Sequence, residues 1–175
     1  MKLLLIVTGS IAIVKIPAFL SLCTARAIPV DIIMSAAAKE FITPLALTSL
    51  IAGRVYSDLF SQQDEEEMGH IALTRKADSI LVAPASADFI ARMAQGRADD
   101  LASSALLANP GKPVFVAPAM NQAMWHHPAT KRNLAQIMQD GARLIPPTDG
   151  LLACGETGIG KMAEPETILT QILSI

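Results

Sequence analysis

The chain has 175 residues, a length that fits one domain whose core needs no staples. Hydrophobic residues make up 51% and charged residues 17%, the latter below the roughly 25% usual for soluble domains, which points to a surface partly covered by self-association. Lys plus Arg number 14 against 16 Asp plus Glu, and a net charge of -2 offers no basic footprint for nucleic acid or an acidic membrane, so a small-molecule partner fits better.

In chain order, residues 2–8 predict a strand, Gly9-Ser10 a tight turn and residues 16–27 a helix with Pro17 in its first turn. This reading accounts for an N-terminal run that superficially resembles a signal peptide, and no segment reaches the ~18–20 apolar residues of a membrane span. Residues 30–34 predict a second strand and 38–51 a helix. The acidic run Asp64 to Glu67 reads as a solvated loop before a helix over about 69–77. A strand at 79–83, helices at 87–95 and 100–108, a strand at 113–117, a helix at 129–140 and a short candidate strand at 143–145 follow. Residues 146–164 contain four glycines and two prolines and read as an irregular lid or binding loop, after which 165–174 is again helical. The strand runs are apolar throughout rather than alternating, as in strands buried on both faces. Their alternation with helices predicts an α/β fold with a three-layer, doubly wound parallel sheet, as a single domain over 1–175.

Ligands of such sheets bind at the carboxyl ends of the strands. Thr8-Gly9-Ser10-Ile11 follows the first strand, Ser35 the second, and Pro84-Ala85-Ser86-Ala87-Asp88 the third. Small residues there let backbone approach a phosphate, and three hydroxyls on one edge favour a phosphorylated cofactor; alone, the Gly9-Ser10 turn is one that any α/β protein needs, and Ser86 is as well explained as an ordinary N-cap. The stretch "PAMNQAMW", residues 118–125, places the single tryptophan beside Met120, Asn121 and Met124 where the fourth strand ends. It reads as a site or, more plainly, as a helix packing its methionines.

No GxGxxG occurs. Gly155 to Met162 mimics a P-loop, but Met162 stands where magnesium needs a hydroxyl and Pro165 falls inside the required helix. His126 and His127 are boundary residues, their adjacency being unsuited to a shared metal, and no ligand cluster indicates a metal site. His70, at a helix start behind Gly69, reads on its own as an ordinary structural residue or as one placed where its pKa could be tuned. Cys23 reads as a small core residue, whereas Cys154, between Ala153 and Gly155, is a candidate acid or nucleophile on a loop. Two cysteines make no disulfide framework, and a reducing, cytoplasmic setting is expected.

Together these stretches resemble the flavin-containing cysteine decarboxylases, and within them the branch acting on 4'-phosphopantothenoylcysteine in coenzyme A synthesis. "PAMNQAMW" resembles the PxMNxxMW signature, "PASAD" the PASANT block, "ACGETGIGKMAEP" the substrate-clamp motif and "MGHI" the active-site histidine segment. The resemblance spans nearly the whole chain and implies a flavodoxin-like or Rossmann-like flavoprotein with FMN as cofactor. It implies that His70 is a base at the thiol end of the substrate, Asn121 holds the substrate carboxylate and Cys154 protonates the decarboxylated ene-thiol. Gly9, Ser10, Ile11, Ser35, Ser86, Asp88 and Met120 are expected at FMN, with Met124 and Trp125 as an apolar wall. Ala153, Gly155, Lys161 and Met162, in a clamp over about 146–165, are expected at the substrate.

Asp88 replaces the Asn of PASANT, and Lys161 stands where Arg is common, keeping the charge but losing the bidentate fork. Homotrimers or dodecamers are implied as partners, and a phosphopantothenate-cysteine ligase as a second domain, of which these residues show nothing, or as a separate protein. The rival readings are a peptidyl-cysteine decarboxylase, a prenyl-transferring flavoprotein, a non-catalytic regulator on the same fold and a plain FMN electron carrier.

Overall fold

Alternating side chains of β1 (Leu3–Val7) set the layering: Leu3, Leu5 and Val7 enter one core, Leu4 and Ile6 the other, and all five are buried. The structure, a computed structural model, describes residues 1–57, 69–153 and 155–174. After β1 come a 3-10 turn (Ile11–Lys15), α1 (Ile16–Ala25), β2 (Val30–Met34), α2 (Ala36–Lys39), α3 (Pro44–Thr48) and β3 (Val55–Tyr56). They are followed by α4 (Gly69–Lys76), β4 (Ser79–Ala85), α5 (Ala87–Ala94), α6 (Leu101–Leu107), β5 (Val114–Pro118), α7 (Gln122–His126) and α8 (Pro128–Gln139). The chain then forms β6 (Arg143–Leu144), β7 (Thr148–Leu151), β8 (Thr157–Lys161) and α9 (Pro165–Leu173).

Six strands pair in parallel in the order β3-β2-β1-β4-β5-β6. This is the Rossmann order; without the two-residue edge strand β3, the remaining five follow the flavodoxin order. The 3-10 turn, α1, α3 and α9 cover one face, and α4, α5, α6, α7 and α8 the other, which is the expected three-layer doubly wound fold. Phe19 and Leu20 of α1 and Ile168, Leu169 and Ile172 of α9 are fully buried against the first face, each aliphatic side chain contributing about 1.5–3 kcal/mol of burial. Cys23 lies in this core, where burial pushes its thiol up to about 11, so it is inert packing.

Two expectations need correction. The helix over 38–51 is two short helices, because Ser35 caps α2 and Thr43, accepting from Ala46 N at 3.2 Å, starts α3 anew with Pro44 in its first turn. The segment 146–164 is not irregular: β7 and β8 form an antiparallel hairpin, and this strand geometry also removes any P-loop from Gly155 to Met162. His127 is a boundary residue as expected, its Nδ1 capping α8 by accepting from Ala129 N at 3.1 Å. The acidic run at 64–67 lies outside the described residues.

Candidate functional site

The order of strands reverses between β1 and β4, and the crevice at their carboxyl ends is where the loops after β1, β4 and β5 meet. Buried Thr8 ties the first two together: its hydroxyl donates to the Pro84 carbonyl at 2.6 Å and accepts from Ser86 N at 2.9 Å. Around this crevice the predicted hydroxyls are all N-caps. Ser10 Oγ accepts from Ala12 N at 3.4 Å, Ser35 Oγ from Ala38 N at 3.2 Å and Ser86 Oγ from Phe89 N at 3.2 Å. Gly9 allows close packing here, since a Cβ on it would sit 2.5 Å from that of Ala37.

Asn121 caps α7 in the same way, its Oδ1 accepting from Met124 N at 2.8 Å. A helix therefore does follow "PAMN", but its Met124 is 45% exposed, so this methionine is not simply core packing. Trp125 is buried, with Lys131 Nζ 4.4 Å from its ring centroid.

The hairpin leans on this segment. Met120 N donates to Gly160 O at 3.0 Å, and Cβ atoms on Gly160 and Gly158 would collide with the Met120 carbonyl oxygen and the Gln122 amide, respectively. Between hairpin, 3-10 turn and the loop after β5 lies a cavity of about 400 Å³. It collects Ser10 and Ile11, Met120 and Asn121, and Ala153, Lys161 and Met162 from three remote stretches of sequence, all of them expected site residues. Gly9, Ser35, Ser86, Asp88 and Gly155 do not line it. Ser35 and Ser86 sit along the same sheet edge, whereas Asp88 turns its exposed carboxylate to Arg92 Nε at 2.9 Å. His70 lies on the first turn of α4, its side chain outside the described residues, as is Cys154 altogether.

The sequence reading missed Lys15, which also lines the cavity. Its Nζ donates to the Met162 carbonyl at 2.8 Å and to Glu164 Oε1 at 2.9 Å, and Lys161 Nζ reaches the same oxygen at 3.1 Å. The hydrogen bond from Lys15, then that from Lys161, holds the Glu164 carboxyl below its ordinary range. The only sequence signal was a lone cation closing an apolar turn. Among the described residues no cluster of His, Cys, Asp or Glu has metal-binding geometry.

The flavoprotein family model matches residues 1–175. The chain is 41% identical over 172 residues to the probable phosphopantothenoylcysteine decarboxylase of Streptococcus mutans, covering 98% of this chain and 96% of that one. It is 44% identical over 166 residues to the coenzyme A biosynthesis bifunctional protein CoaBC of Haemophilus influenzae, of which it spans 41% of the length. A solved PPC decarboxylase mutant complexed with pantothenoylaminoethenethiol superposes with a TM-score of 0.88 at 34% identity, over 98% of this chain and 96% of that one. The FMN binding protein AtHal3 gives 0.84 at 34%, over 98% and 94%. By sequence along its whole length and by the superposition of its fold, the chain belongs to the flavoprotein family, in the branch of the phosphopantothenoylcysteine decarboxylases.

Proposed function

We propose that the chain decarboxylates 4'-phosphopantothenoylcysteine to 4'-phosphopantetheine with FMN as cofactor. The observation that carries this reading is the cavity in which Ser10, Asn121 and Lys161 converge at the carboxyl edge of the sheet. The residues present fit a flavin mononucleotide: capped helix starts at Ser10, Ser35 and Ser86 offer backbone N–H groups to its phosphate. Ile11, Val14 and Met120 offer an apolar wall to its ring. The chemistry FMN supplies when bound is a reversible two-electron sink for the CH2–S end of the substrate, without which the electrons left by departing CO2 have no acceptor.

The chain's own residues do the rest. Because the Asn121 carbonyl oxygen is committed to Met124 N, its Nδ2 group is left with two donors for the substrate carboxylate. A neutral amide holds that anion without a charge that would resist its departure as neutral CO2. His70 takes the thiol proton, and Cys154 returns a proton to the ene-thiol. Met120, Met124 and Trp125 exclude water, and Gly9, Ser10, Ile11, Ser35, Ser86 and the backbone N–H of Asp88, whose carboxylate is turned to Arg92, hold the cofactor side. The hairpin residues Ala153, Gly155, Lys161 and Met162 close over the pantetheine arm.

Lys15 and Lys161, two cations sharing the single carboxylate of Glu164, make a lip of net positive charge suited to the phosphate at the end of that arm, which a peptide substrate lacks. Lys15→Gln is expected to raise KM about tenfold for the phosphorylated substrate and little for its dephosphorylated analogue, measured by CO2 release. Equal effects on both would remove Lys15 from phosphate recognition.

The experiment that tests the whole reading compares wild type with Cys154→Ser. The wild type should purify yellow with bound FMN and release CO2 while forming the saturated thiol. The variant should release CO2 but accumulate a product two hydrogens lighter, seen by mass spectrometry. A colourless protein that refuses FMN, or a variant forming the saturated thiol at the wild-type rate, would overturn it.

Ile11, Val14 and Leu151, 51%, 66% and 70% exposed, form an apolar rim that supports assembly as a homotrimer or a dodecamer of trimers; a monomeric mass in sedimentation would exclude both. A phosphopantothenate-cysteine ligase domain or protein is the partner the substrate calls for. Cytoplasm is the proposed location; among the described residues no helix is long and apolar enough to cross a membrane.

A further inference from the structure

A cavity of about 550 Å³, larger than the one at the carboxyl edge, opens at the opposite end of the sheet, where Val114 and Arg143 begin β5 and β6. We propose that it binds a phosphate monoester with an apolar body, through Lys112 and Arg143.

Leu106, Leu107 and Ile137 supply apolar wall, with Leu107 62% exposed. Of the charged groups lining the cavity, Arg97 is ion-paired with Asp99, and Asp140, hydrogen-bonded to the neutral Gln136 amide at 2.9 Å, keeps its charge, so Lys112 and Arg143 outweigh it two to one. Lys112 and Arg143 have no carboxylate partner among the described residues; the Arg143 guanidinium stands 5.6 Å from the Phe115 ring centroid.

Cations near helix carboxyl ends commonly serve the terminal carbonyls, and both α5 and α8 end at this cavity. Here the backbone already does that. Gly96, at φ 64°, donates to Met93 O and Arg97 N to Arg92 O, while Gly141, at φ 98°, donates to Met138 O and Ala142 N to Ile137 O. These are complete Schellman closures, so neither Lys112 nor Arg143 is needed as a cap.

The turn carrying Lys112 is also fixed in advance. The Asn109 side chain donates to the Lys112 carbonyl and accepts from Lys112 N, each at 2.9 Å. A rigid concave site with apolar wall, a point cation and a planar guanidinium matches a phosphate on an apolar body better than a neutral ligand or a bare anion.

The test titrates the FMN-loaded chain calorimetrically with phenyl phosphate, and in parallel with inorganic phosphate and benzyl alcohol to separate charge from apolar contact. Phenyl phosphate should bind saturably, and each of the other probes at least about tenfold more weakly. Lys112→Gln and Arg143→Gln should each weaken phenyl phosphate about tenfold without lowering the melting temperature, whereas Lys15→Gln, at the other cavity, should leave it unchanged. Absence of saturable binding, or binding lost with Lys15→Gln but kept in the other two variants, would overturn the proposal. The inference stands or falls independently of the decarboxylase reading.

Discussion

Asn121→Asp should lower kcat/KM for decarboxylation by roughly a hundredfold or more while leaving the melting temperature close to that of the wild type. The two halves of this expectation come from the two ends of one side chain. Oδ1 caps α7 by accepting from Met124 N, and Asp caps as well as Asn, so the local fold is kept. The other end, which the proposed function sets against the substrate carboxylate, changes from a two-proton donor into a second anion, and like charges brought together cost several kcal/mol. Asn121→Ala should lose activity too, but with a stability loss of about 1 kcal/mol from the missing cap. Melting curves with CO2 assays separate the variants; an Asp variant as active as wild type would show that the carboxylate is held elsewhere.

Gly160→Ala is expected to destabilise the protein by about 2–6 kcal/mol, summing backbone strain and overpacking, and to loosen the hairpin from the Met120–Asn121 segment. Gly160 has φ 144°, and its added Cβ would strike the Met120 carbonyl oxygen, a backbone atom that cannot swing aside. The same substitution at Gly158 meets only the end of the Gln122 side chain, which can rotate away, and should be several-fold milder. Thermal melting and the rate of tryptic cleavage after Lys161, the one Lys or Arg of the hairpin, measure both. A Gly160 variant no worse than the Gly158 variant would mean that the hairpin does not depend on this approach.

The parts of the fold legible in the sequence were those fixed by short-range chemistry. Residues 30–34 were read to the residue, because a run buried on both faces carries its own signature. The edge strand β3 was invisible: two residues hold no period, and tertiary contacts place them. Asp31 Oδ1 accepts from Arg54 N at 3.0 Å, Asp31 pairs with Lys2 Nζ at 2.6 Å, and a Cβ on Gly53 would collide with the Val30 carbonyl oxygen. The hairpin was hidden by its own glycines, which break the alternation that would announce strands while permitting the contact with Met120. In the site, Ser10, Met120 and Asn121 were readable because strand ends advertise them. Lys15 was not, since its partner Glu164 lies 149 residues further on.

Thr8 has a last consequence for whatever enters the crevice. One hydroxyl, donating to Pro84 and accepting from Ser86, sets the gauge between two loops drawn from distant parts of the chain. A guest meets a slot of predetermined width and need not order those loops on arrival, so discrimination among guests falls to the hairpin side, where the walls come from a separate two-stranded element.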